Sequence, residues 1–91
     1  MERTERHLRR LRGMNVTLLP HARERMECFG VSPAAVLRVL QEPDEEGDAN
    51  LGRFWAQKQL GPHRIRVIYN LSRDEPVVVT VMLRRREGGR S

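Results

Sequence analysis

One cysteine, one lysine, one tryptophan and one tyrosine stand among 91 residues, and each scarcity closes off a class of function. A lone Cys28 cannot close an internal disulfide and supplies no cysteine cluster for a metal. The three histidines, His7, His21 and His63, lack metal-ligand spacing. Aromatic residues make up 4% of the chain, too few for the paired stacking platforms of an RNA-recognition sheet. No apolar run approaches the ~20 residues of a membrane span, and the arginine-rich start lacks the apolar segment of a secretory signal. The chain contains no glycine-rich phosphate loop and no paired carboxylates at a strand end. A cytoplasmic protein with no cofactor, no metal and no membrane partner is the expectation.

Arginine is what the chain has in abundance: sixteen of its seventeen basic residues. Its planar, bidentate fork suits phosphate, although a GC-rich coding sequence produces the same bias. The net charge of +5 is unevenly spread. Residues 1–13 hold five arginines against two glutamates, and residues 84–91 hold four against one. Between them eight basic residues meet nine acidic ones. The chain thus divides into a basic N-terminal tail (1–13), a single domain (14–83) and a basic C-terminal tail (84–91).

Within that domain the apolar pattern predicts a short strand over 14–18, then two helices. The first runs from about Pro20 to Phe29, with proline at a favoured first position, Leu19 as a poor cap and Gly30 as the stop. Ala22, Met26 and Phe29 share its buried face. The second begins at Ser32-Pro33, a good cap followed by proline, and buries Val36, Val39 and Leu40 until Glu42-Pro43 ends it. Asp44, Glu45, Glu46 and Asp48 read as a solvated acidic loop whose spacing does not match a calcium loop. Three strands follow, about 53–60, 64–71 and 76–83, separated by Gly61-Pro62 and Ser72–Glu75. Ile65, Val67, Tyr69 and Leu71 alternate with Arg64, Arg66, Ile68 and Asn70, and Val77, Val79, Val81 and Leu83 alternate with Val78, Thr80, Met82 and Arg84. The expected fold is therefore α+β: a short N-terminal strand and two helices packed on a three- to four-stranded antiparallel meander sheet.

Two surfaces carry candidate chemistry. His21 and Arg25, four residues apart on the first helix, share a face. A cation beside an imidazole disfavours its protonated form and leaves a ring able to take a proton. The same spacing also describes an ordinary solvated helix face. The second surface is the open sheet face, which collects Arg64, Arg66, Asn70, Thr80 and Arg84, with Arg53 and Lys58 in the neighbouring strand. It reads either as a seat for an RNA backbone or as a plain solvated face. Trp55 reads as core or edge packing, Cys28 as packing and His63 as a turn residue. If the protein is an enzyme, RNA supplies its own nucleophile in the 2′-hydroxyl. His21 then serves as general acid or base, Arg25 and Arg66 stabilise the phosphate, and Thr80 or Tyr69 positions it.

The run His21-Ala22-Arg23-Glu24-Arg25-Met26, then Gly30-Val31-Ser32, then Val36 to Leu40 and Pro43, resembles the bacterial family catalogued as domain of unknown function 4258. Arg64–Tyr69 and Val77–Val81 are similar to its strands, so the resemblance covers about residues 14–83. That family looks related to the RelE/ParE-type and barnase–EndoU–colicin ribonuclease folds. The resemblance implies a RelE-like fold and a toxin-like, metal-independent endoribonuclease. The family's most recognisable polar positions are here His21 and Arg25; with Arg66 and Thr80 from the reading of the sheet they make the expected catalytic set, and Arg53, Lys58, Arg64 and Arg84 make the expected RNA-binding set. The resemblance also implies RNA or the ribosome as partner and an acidic antitoxin, and a homodimer is compatible with it. A non-catalytic RNA- or ribosome-binding module and a small protein-interaction domain are the competing readings.

Overall fold

Leu19 contributes no side-chain cap, so the start of the first helix rests on Pro20 and on backbone bonding. The computed structural model describes residues 15–73 and 75–85. The expected tail 1–13 and positions 86–91 lie outside the described residues. The chain runs β1 (Thr17–Leu18), α1 (Pro20–Phe29), α2 (Pro33–Gln41), β2 (Glu45–Asp48), a 3₁₀ turn (Asn50–Gly52), β3 (Phe54–Leu60), β4 (His63–Ser72) and β5 (Glu75–Arg85). Arg84 and Arg85, expected in the tail, are the last residues of β5.

Both helices form where the sequence predicts them, through the local chemistry it contains. Pro20 fits the first turn, where an amide has no partner to lose. Gly30 ends α1 in the left-handed region at φ 71, and the amide of Val31 donates to the Met26 carbonyl at 2.8 Å. Ser32 caps α2 by accepting from the Ala35 amide at 3.1 Å. Ala22 and Met26 of α1 and Val36, Val39 and Leu40 of α2 are buried, as the helical spacing requires.

The sheet departs from the expected antiparallel meander in two ways. It has five strands in the order β1-β5-β4-β3-β2, and β1 pairs parallel to β5. The sheet is therefore mixed. The second departure is β2: the acidic stretch expected as a loop pairs antiparallel with β3, Glu45 opposite Gln57 and Gly47 opposite Trp55. A hydrophobic pattern cannot reveal such a strand. It lies at the sheet edge, where charged side chains suit solvent and discourage further pairing.

Helix α1 packs on β5, and α2 packs on β3 and β4. Their apolar faces meet Ala56, Ile65, Val67, Tyr69, Val78 and Val81 in one core. All six lie on the same sheet face, so both helices among the described residues cover that face and leave the other open. The expected alternation in β5 fails between Val77 and Val79. Val67 faces Val81 and Ile68 faces Thr80, but Tyr69 faces Val78. The extra residue, Val79, forms a bulge that shifts the parity of the strand. Val78 and Val81 thus both point inward, each fully buried, and Val77 turns to the open face.

Tyr69, expected as a phosphate-positioning group, is fully buried and its ring lies 5.7 Å from that of Phe54. Burial pushes its phenol well above the ordinary value of 10.0, and the nearby Glu46 carboxylate pushes the same way. A raised folded pKa stabilises the fold fully below the unfolded pKa, and that stability is lost as pH climbs beyond about 10. Denaturant unfolding should therefore show stability falling above about pH 10, with a smaller fall in Tyr69→Phe. Parallel pH curves for the two proteins would show that this phenol, the only tyrosine in the chain, does not drive the loss.

Candidate functional site

Cross-strand register assembles the open face row by row. Gln59, Arg64 and Arg84 form one row across β3, β4 and β5; Gln57, Arg66 and Met82 form the next, with Glu45 beyond Gln57 in β2. Gly47, Trp55, Ile68 and Thr80 form the third. A hollow of about 110 Å³ opens on this face, lined by Gln57, Arg64, Arg66, Met82 and Arg84.

Arg66 is held in place from two sides. Its Nε donates to Gln57 Oε1 at 2.9 Å, and its guanidinium lies over the Trp55 ring, 4.4 Å from the centroid. Gln57 is in turn anchored, its Nε2 donating to Glu45 Oε1 at 3.2 Å. Gln57, the middle of this relay, is only 9% exposed, whereas Glu45 at its outer end is open to solvent. The indole lies against the backbone of Gly47, where a Cβ would come within 2.9 Å of its Nε1. Arg66 thus spends one donor on its support and keeps its terminal nitrogens for a ligand.

Arg64 and Arg84 stand directly opposite each other on β4 and β5. No carboxylate among the described residues pairs with either. Like charges placed this way repel across the ladder. An anion in the hollow between them would convert that repulsion into attraction.

The remaining expected residues fall elsewhere. Lys58 faces the helix side, opposite Ile65, and its Nζ donates to Asp44 Oδ1 at 3.3 Å. Asp44 also accepts from the Gln59 amide at 2.9 Å, and this bond leads in holding its carboxyl below the ordinary value, with Lys58 helping. Arg53 precedes β3 at the far end of the sheet from Arg64. Thr80 is on the open face but about 13 Å along β5 from Arg84, four residues away. His63 opens β4 rather than sitting in the turn.

His21 and Arg25 are both exposed on α1. That helix covers the face of the sheet opposite to the one bearing Arg66 and Thr80, so the four residues expected to act together lie on two sides of one sheet. The Arg25 guanidinium lies over the Phe29 ring at 5.2 Å, one turn away from His21 in the direction of the helix C-terminus. No hydrogen bond or ion pair among the described residues joins His21 to Arg25. Cys28, expected to pack, is exposed.

Three residues of the site escaped the sequence reading: Gln57, Glu45 and Gly47. A signal for Gln57 exists. Gly61-Pro62 is a two-residue turn with Gly61 at φ 66, and such a turn sets Leu60 against His63 and hence Gln57 against Arg66. Glu45 and Gly47 become legible only once β2 is known to be a strand. Among the described residues there is no group of three His, Cys, Asp or Glu side chains that could hold a metal ion, and no helix is long and apolar enough to cross a membrane.

The chain is a small α+β domain with its described helices on one sheet face and a cluster of three arginines on the other. Residues 18–83 match the family model described as Domain of unknown function (DUF4258), and the chain belongs to that family. No curated protein and no solved structure matches the chain.

Two outcomes test this geometry. Gly47→Ala should drive the indole off the β2 backbone and release Arg66, changing the fluorescence of the single tryptophan; an unchanged spectrum would mean that the close approach is not needed. Arg84→Gln should raise stability by about 0.2–1 kcal/mol at low salt by removing the like-charge pair. A loss of stability in thermal unfolding at low salt would show that the two arginines do not repel in the folded protein.

Proposed function

We propose that this chain binds single-stranded RNA through its phosphates, using Arg64, Arg66 and Arg84 on the open sheet face. The observation that carries this reading is the state of the three arginines. Arg66 is oriented by Gln57 and Trp55 with its terminal nitrogens uncommitted, and Arg64 and Arg84 face each other with no acidic partner among the described residues. Oriented guanidiniums lacking carboxylates bind an oxyanion with little ordering cost. Gln59, Asn70 and Thr80 on the same face add amide and hydroxyl groups of the kind that meet a ribose 2′-hydroxyl.

A toxin-like, metal-independent endoribonuclease in the manner of RelE/ParE proteins, with His21 as acid or base, is the second reading. The exposed His21 and Arg25 on one face of α1 favour it. On this fold such chemistry would use Arg25 without Arg66 or Thr80, because the sheet stands between them.

Fluorescence anisotropy with labelled single-stranded RNA over a salt series separates the two. Arg64→Ala with Arg84→Ala should weaken binding and flatten the salt dependence by about 0.7 in log–log slope for each phosphate that is no longer neutralised. His21→Ala should bind as the parent does. Unchanged affinity in the double variant would overturn the binding reading. Cleavage products that disappear in His21→Ala would favour the nuclease.

A further inference from the structure

Among the described residues the cations of the open face converge on one spot. Arg64, Arg66 and Arg84 ring a hollow of about 110 Å³. The next row, Trp55, Ile68 and Thr80, is uncharged, and so is the Asn70–Val77 pair beyond it. Lys58 is on the other side of the sheet, tied to Asp44, and Arg53 is at the far end. Among the described residues, a strand laid along this face would meet strong positive charge at a single point. Electrostatic tracks that follow a nucleic-acid backbone distribute their cations along its length.

The charge of the hollow narrows the choice of ligand. An internal phosphodiester brings one negative charge, whereas a terminal phosphate monoester brings about −1.5 to −2 and three acceptor oxygens. Three guanidiniums match the second better than the first, and the Arg64–Arg84 repulsion is relieved further by the more highly charged group.

We infer that the Arg64–Arg66–Arg84 hollow recognises a terminal phosphate monoester of an RNA chain in preference to its internal phosphodiesters, with Gln57 as the positioning residue that aims Arg66. The inference rests on the RNA-binding reading and makes it more specific. Anisotropy with three oligoribonucleotides of one sequence tests it: one with a 5′-phosphate, one with a 3′-phosphate, and one with hydroxyls at both ends. One of the phosphorylated strands should bind the full chain about tenfold or more tightly than the hydroxyl strand, the gain expected from an added charge-assisted contact. Inorganic phosphate should compete away that increment alone. Arg84→Ala, at an exposed position, should erase it. Gln57→Leu should reduce it while circular dichroism shows the fold retained. Equal affinity for all three strands would overturn the monoester inference and leave RNA binding standing. Binding of none of them would overturn both.

Discussion

The two-residue turn Gly61-Pro62 brings Leu60 opposite His63 and thereby decides which side chains of β3 meet which of β4. Gly61 takes φ 66, a conformation that costs other residues and that suits a tight hairpin turn. A slip of one residue would turn one strand over against the other, sending either Ala56 outward and Gln57 into the core, or Val67 outward and Arg66 into the core. With the register as it is, Ala56 and Val67 lie beneath the helices, and the Gln57–Arg66 bond forms on the far side. The core and the site thus depend on one constraint. Burial of Ile65, Val67 and Tyr69 holds the register, and the register holds Arg66.

Much of this was legible because local chemistry and pattern agree. Ser32-Pro33 and Gly30 mark helix boundaries by capping physics, and the buried positions of both helices follow from their 3.6-residue period. β5 was less legible for a definite reason. Val77, Val78 and Val79 are all apolar, so the alternation that distinguishes inward from outward residues vanishes where the bulge shifts it. The parallel pairing of β1 with β5 joins residues far apart in sequence, which no local pattern reports. For β2 the pattern points the wrong way. Glu45-Glu46-Gly47-Asp48 has the composition of a solvated loop, and it is strand because β3 offers it a free edge and Trp55 needs a neighbour without a side chain.

The candidate site was legible as residue types and illegible as a constellation. Arg64, Arg66 and Arg84 fall on one face by strand parity, and the structure gathers them around one hollow. His21 and Arg25 fall on one face of α1 by helical period, and that prediction also holds. Uniting the two sets requires knowing which sheet face α1 covers. That follows from the chain crossing from β1 over the sheet before β5 returns parallel to it, a tertiary fact with no local signature. A helix and a strand face can each be read correctly and still never meet.

The same geometry resolves the weak net charge of the domain. Acidic and basic residues nearly cancel between 14 and 83, which argues against a nucleic-acid surface if charge is averaged over the domain. The sheet prevents that averaging. Glu46 and Asp48 pair with Ala56 and Phe54 on the helix side, and Asp44 is occupied by Lys58 and the Gln59 amide. Glu45 is the acid of that stretch in the register of the open face, and it accepts from the Gln57 amide whose carbonyl oxygen holds Arg66. Its charge is thus directed into the support of the site and away from the hollow. A domain with almost no net charge can therefore present a concentrated positive face, because strand parity sorts the signs onto opposite sides over a distance comparable to a Debye length of about 8–10 Å.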